Sequence, residues 1–127
     1  MLLASVHLGP STIHGTGCFT SEPIKKGQLV WVLDERLDVI VPFADLCTFP
    51  QPYQEFLLMY GYQAEHRGQK VIILCSDHAK HMNHADDPNV GEDADHNNVA
   101  LRDIAAGEEL TCNYYQFDLD GARKLCS

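Results

Sequence analysis

The chain has 127 residues, which suits one compact domain over 1–127 and excludes two. Hydrophobic residues make up 45% and charged residues 21%, an ordinary soluble composition, and no apolar run is long enough to span a bilayer. With 18 acidic against 9 basic residues the formal net charge is −9, which opposes direct binding of nucleic acid and attracts a cationic partner.

From the start, LLASVHL reads as an opening strand and HGTGCF as a tight glycine-rich turn. PIKKGQ is a turn ahead of the buried strand LVWVL, and LDVIV is a further short strand. QPYQEFLLMYGY carries the helical pattern: Tyr53, Phe56, Leu57 and Tyr60 fall at i, i+3, i+4 and i+7. Pro52 suits its first turn and Gly61 its end. KVIILC is a continuously apolar strand, and NNVALRDI and EELTCNY are two more strands around the turn AAGE. Many short strands with one helix predict a β-rich α+β domain. Cys18, Cys47, Cys75, Cys112 and Cys126 are odd in number, scattered and without a C-x-x-C, and so read as reduced thiols of a cytoplasmic protein.

The segment DHAKHMNHADDPNVGEDADHNN, residues 77–98, concentrates histidines and carboxylates. His78, His81 and His84 at spacing three and three could share an ion on a helix. Against a metal stand the lack of H-E-x-x-H, of paired cysteines and of a calcium-loop ladder. DDPN followed by GEDAD is turn chemistry instead. We therefore expect no metal ligands here.

Three other patterns stand in order along the chain. IHGTGCFTSEPIKKGQLV holds a Gly-x-Gly turn, an apolar pair and a later Lys-Gly turn. KHMNHADDPNV holds Asn83, His84, Pro88 and Asn89. GEELTCNY runs from Gly107 to Tyr114. Together they resemble the signatures of SET-domain protein-lysine methyltransferases, and they cover the chain from about residue 13 to residue 117. The compact bacterial and viral kind, without flanking zinc modules, is the nearest likeness. Asp86 stands where many eukaryotic relatives have a zinc-binding cysteine, and only Cys126 lies in the tail. Lys80 and His81 replace the usual arginine and aromatic residue, and a lysine cannot make a bidentate guanidinium contact.

The resemblance implies small curled β-sheets with a C-terminal pseudoknot and methyl transfer from S-adenosylmethionine (AdoMet) to a lysine amine. By the same resemblance His14, Gly15, Thr16 and Gly17 form the turn that wraps AdoMet. Asn83 gives its side-chain carbonyl to the AdoMet amino group, and His84 binds the adenine through its backbone. Tyr114 is the catalytic tyrosine, close to both cofactor and amine. It orients rather than deprotonates, since a free tyrosine has a pKa of about 10. The expected partner is a basic protein or peptide, histone-like or ribosomal, and a homodimer that completes the substrate groove is a further expectation. Two alternatives stay open: an AdoMet-binding module without turnover, and a His/Asp metal-binding protein.

Overall fold

The computed structural model describes residues 1–113. Two antiparallel strands, β1 (Val6–Pro10) and β2 (Thr16–Thr20), open the chain, with Pro10 opposite Thr16 and Val6 opposite Thr20. The glycine-rich segment therefore divides: residues 11–15 form the turn, and Gly17 already lies within a strand. Next come β3 (Leu29–Trp31), β4 (Val39–Pro42), a 3-10 helix over Phe43–Thr48 and α1 (Gln51–Tyr60). The remainder is β5 (Tyr62–His66), β6 (Gln69–Leu74), a 3-10 helix over His78–His81, β7 (Asn83–His84), β8 (Val90–Glu92), β9 (Asn98–Ala100) and β10 (Thr111–Cys112). This is the β-rich α+β architecture that the sequence predicts.

The strands form four small sheets: β1-β2, β4-β6-β5, β3-β9-β8 and the parallel pair β7-β10. The parallel pair sets Thr111 beside Asn83 and Cys112 beside His84. The C-terminal pseudoknot that the resemblance implies involves residues 114–127, which lie outside the described residues.

β6 is a continuous apolar run because both its faces are covered. Val71, Ile73 and Cys75 pack on one side with Trp31, Leu33 and Tyr62. Ile72 and Leu74 pack on the other with Leu46 and Leu57. The helix face centres on Leu57, which is fully buried, while Tyr53 is exposed. Tyr53 instead stands in a row of rings, Phe49–Tyr53–Phe56–Tyr60, that ends edge-on against His81. A third cluster, around Cys18, Ile24, Val30, Met82, Val90, Ile104 and Leu110, joins the hairpin to the second half of the chain.

Two matching turns close that junction. Ile24 and Ile104 exchange reciprocal backbone hydrogen bonds of 2.9 and 2.8 Å. Each then leads into a tight turn ending in glycine, Gly27 and Gly107, both at φ +84°. Asp38 is buried yet satisfied, accepting from the backbone N–H groups of Asp34 and Ser76 and from the Met1 ammonium. Cys18, Cys75 and Cys112 carry thiols. No helix among the described residues is long and apolar enough to cross a membrane.

β5 is the strand that patterning misses: YQAEH alternates, with Tyr62 and Ala64 packed on the Trp31 cluster, but it follows directly on the helical pattern and its apolar side is too small to mark a strand by itself. It forms as the partner of β6, with His66 opposite Gln69 across a two-residue turn. Both turn residues have positive φ, Arg67 at 52° and Gly68 at 74°, as a type I′ hairpin turn requires. Arginine tolerates this region poorly and asparagine well. Arg67 also makes an exposed ion pair to Glu35, which contributes little. Arg67→Asn is expected to raise the unfolding free energy by up to about 1 kcal/mol, read from the urea midpoint at unchanged slope.

Candidate functional site

Strands of two residues have too few ladder bonds to hold themselves, and β10 is held by a side chain. Asn89, at 2% exposure, is buried against β10, just ahead of β8. Its Oδ1 accepts from the Thr111 backbone N–H at 2.8 Å, and its Nδ2 donates to the Glu109 carbonyl at 2.8 Å. Its own N–H donates to the Thr111 hydroxyl at 3.2 Å. Asn89 thus ties the Glu-Leu-Thr segment to the chain that follows the Asn-His segment.

On β7, Asn83 faces the glycine-rich turn. Its Nδ2 lies 2.9 Å from the His14 carbonyl, 3.5 Å from the Thr16 carbonyl and 2.9 Å from Glu109 Oε2. Three acceptors around one atom fix the orientation of the amide. Asn83 Oδ1 consequently points away from them and makes no hydrogen bond among the described residues. Gly15 has φ +47° with open space where a Cβ would stand, and the turn is exposed. Gly17 is glycine for a different reason: a Cβ there would lie 2.5 Å from Glu109 Oε2. His84 pairs through its backbone with Cys112, and its ring lies 2.9 Å from Asp86 Oδ1.

The structure therefore brings His14, Gly15, Thr16, Gly17 and Asn83 together, with His84 next along β7 and paired to Cys112. Tyr114 lies outside the described residues. Ser11 and Glu109, which the sequence reading did not single out, belong to the same cluster. Glu109 sits inside the Gly-Glu-Glu-Leu motif and could have been suspected; a serine ahead of a turn carries only a weak signal.

A cavity of about 340 Å³ opens on the other side of β7. Successive residues of an extended chain face opposite ways. Met82 accordingly lines the cavity while Asn83 faces the turn. Trp31, Tyr62, Cys75, Val90 and Leu101 supply most of the apolar wall, and Gln63, Lys80, Glu92 and Asn98 its polar part. Cys112 and Asn113, the last described residue, also line it. Burial first, and then the charge of Asp38, pushes the Cys75 thiol up to about 12, so it stays protonated. Burial likewise pushes the Tyr62 hydroxyl well above its ordinary value. Neither group is a base near neutral pH.

The histidines of residues 77–98 separate. His81 packs on Tyr60, His84 faces Asp86, and His96 lies 3.3 Å from Glu92. Among the described residues no three His, Cys, Asp or Glu side chains converge on a common point. Burial, then Lys80 and His78, lowers the His81 pKa.

The SET domain family profile matches residues 15–115. No curated protein matches the chain by sequence. Among solved structures, a Plasmodium falciparum protein assigned as a histone methyltransferase is similar at 22% identity and a TM-score of 0.57, over 89% of this chain and 95% of that one. An apo Chaetomium thermophilum Polycomb Repressive Complex 2 with two substitutions in its Ezh2 subunit gives a TM-score of 0.70 at 22% identity over 94% of this chain. The same complex in an autoinhibited conformation bound to S-adenosylmethionine gives 0.68 at 21% identity over 95% of this chain. Each of these two matches covers 16% of the other chain, so the likeness is to one part of a much longer protein. At these identities the structures establish a shared fold.

Asn89→Ala leaves the Thr111 N–H without its acceptor, at about 1–3 kcal/mol for each buried group so orphaned. The variant is expected to lose about 3 kcal/mol of stability in denaturant unfolding. Hydrogen exchange should show the Thr111 amide losing protection first.

Proposed function

The chain belongs to the SET-domain family, and from that premise we propose that it is an AdoMet-dependent protein-lysine N-methyltransferase. The observation that carries this reading is the convergence of three sequence-distant motifs. Asn83 bonds the Gly-x-Gly turn on one side, β10 runs parallel to β7, and a cavity lies across β7 from the turn.

The residues present fit the amino-acid end of AdoMet. The Asn83 amide is held with its carbonyl oxygen outward, where it can accept from an ammonium. The exposed backbone at Gly15 allows a ligand to approach closely. When bound, AdoMet supplies an electrophilic methyl group on a sulfonium. The task left to the protein is to align that methyl with a lysine amine and to keep the amine neutral, because an ammonium has no lone pair.

The apolar wall of the cavity suits the second requirement. Desolvation beside Trp31, Met82, Val90 and Leu101 disfavours an ammonium and lowers a lysine's pKa. Tyr62 stays protonated there and serves as a neutral neighbour rather than a base. Tyr114 is assigned to orient the amine by its hydroxyl, acting by position and electrostatics. The acidic balance of the chain favours a basic protein or peptide as substrate through long-range attraction.

Incubation with labelled AdoMet and a cell lysate should transfer label to lysine side chains of basic proteins. Tyr114→Phe is expected to keep its affinity for AdoMet and to lose most turnover; wild-type turnover in that variant would remove the catalytic assignment. Asn83→Ala is expected to weaken AdoMet binding about tenfold or more, the worth of one hydrogen bond to a charged group. Calorimetry reads that loss directly, and an unchanged Kd would place the cofactor elsewhere.

A further inference from the structure

Ser11 opens the glycine-rich turn and belongs to none of the three motifs. Its hydroxyl nonetheless has a full set of partners. The oxygen accepts from the Ile13 N–H at 2.9 Å and from the His14 N–H at 3.3 Å. The hydroxyl proton is shared between the two oxygens of Glu109, at 2.7 and 2.9 Å. The Ser11 N–H donates to the Gly15 carbonyl at 2.8 Å, closing the turn on itself.

Glu109 connects this turn to the second half of the chain. A bridge between Phe19 and Glu109 holds its backbone, and Asn89 holds its carbonyl. Its Oε2 also accepts from Asn83 Nδ2 at 2.9 Å. One carboxylate thus takes protons from both the turn and β7. It covers Gly17 so closely that a Cβ would meet Oε2 at 2.5 Å and Cδ at 2.9 Å. Among the described residues no lysine, arginine or histidine forms an ion pair with Glu109. Its carboxylate is met by the Ser11 hydroxyl and the Asn83 amide.

We infer that Ser11 and Glu109 are positioning residues of the AdoMet site, a hydroxyl–carboxylate relay that sets the turn backbone and the Asn83 amide before any ligand arrives. The inference rests on the function proposed above. Neither side chain need touch AdoMet. The relay acts through the carbonyls of His14 and Thr16 and through Asn83, whose outward oxygen exists only because its nitrogen is anchored. Preorganisation of this kind raises affinity by removing the ordering that binding would otherwise require.

The test compares Ser11→Ala, Glu109→Ala, the double variant and Ser11→Thr with the wild-type chain. Two readouts apply: AdoMet affinity by calorimetry, and amide exchange at Ile13 and His14 without ligand. Each single alanine variant is expected to lose about tenfold in affinity, and the double variant no more than that, because the two side chains act as one unit. The Ile13 and His14 amides should exchange faster in all three while the melting temperature stays near that of the wild type. Ser11→Thr, which keeps the hydroxyl, should restore both readouts. Wild-type affinity and exchange in Ser11→Ala would overturn the relay, and so would losses that add in the double variant. Should an alanine variant fold poorly, Gly17→Ala places a Cβ 2.5 Å from Glu109 Oε2 and 3.1 Å from Ser11 Cβ, so it crowds both members of the relay at once. It should weaken binding in the wild-type background and not in Glu109→Ala; equal losses in both would overturn the inference. A wild-type chain that does not bind AdoMet would remove the proposed function, and the exchange of Ile13 and His14 alone would then decide the relay.

Discussion

Everything at the candidate site depends on two strands of two residues lying side by side, one of which, β10, is held by the buried amide of Asn89. A parallel pair this short makes too few backbone bonds to hold itself against fraying. Asn89 adds both a donor and an acceptor, inserted where water cannot compete, and satisfies the backbone of Glu109 and Thr111 at once. Such an amide is costly when half-satisfied and strongly orienting when complete. From this fixed pair, Asn83 reaches back to the turn and Cys112 faces the cavity.

The walls on either side are rigid for different reasons. On the cavity side, β6 is packed on both faces, so Cys75 and its neighbours cannot shift without moving two clusters. On the turn side there is little apolar packing, and the turn residues from Ile13 to Thr16 are exposed. Order there comes from polar groups instead: Ser11, Glu109 and Asn83. A ligand that needs a charged end and an apolar channel would meet the two kinds of rigidity on opposite sides of one strand.

Much of this was legible in the sequence. The run KVIILC announced a strand covered on both faces, and Tyr53 to Tyr60 announced the helix, though its buried centre proved to be Leu57 alone. The Gly-x-Gly, Asn-His and Gly-Glu-Glu-Leu motifs named the residues that meet. β5 escaped because so small an apolar side forms a strand only by pairing with β6, a tertiary effect that local pattern does not encode. The 77–98 segment drew attention by its histidines, yet its structural weight rests on Asn83 and Asn89. Ser11 was invisible because its partner lies 98 positions away in the chain.

That separation also fixes when the cradle can exist. A chain made from its N-terminus produces the glycine turn early, the Asn-His strand much later, and Glu109 later still. Until residues 109–111 emerge, Ser11 has no carboxylate, Asn89 has no strand to clasp, and Asn83 lacks one of its three acceptors. No early portion of the chain can fold a working cradle and wait. Its assembly is a closing event across nearly the whole domain, and contacts of such long range make for slow folding. A molecule that occupies the finished cradle therefore holds the entire domain shut, and its binding free energy adds to the stability of the domain as a whole.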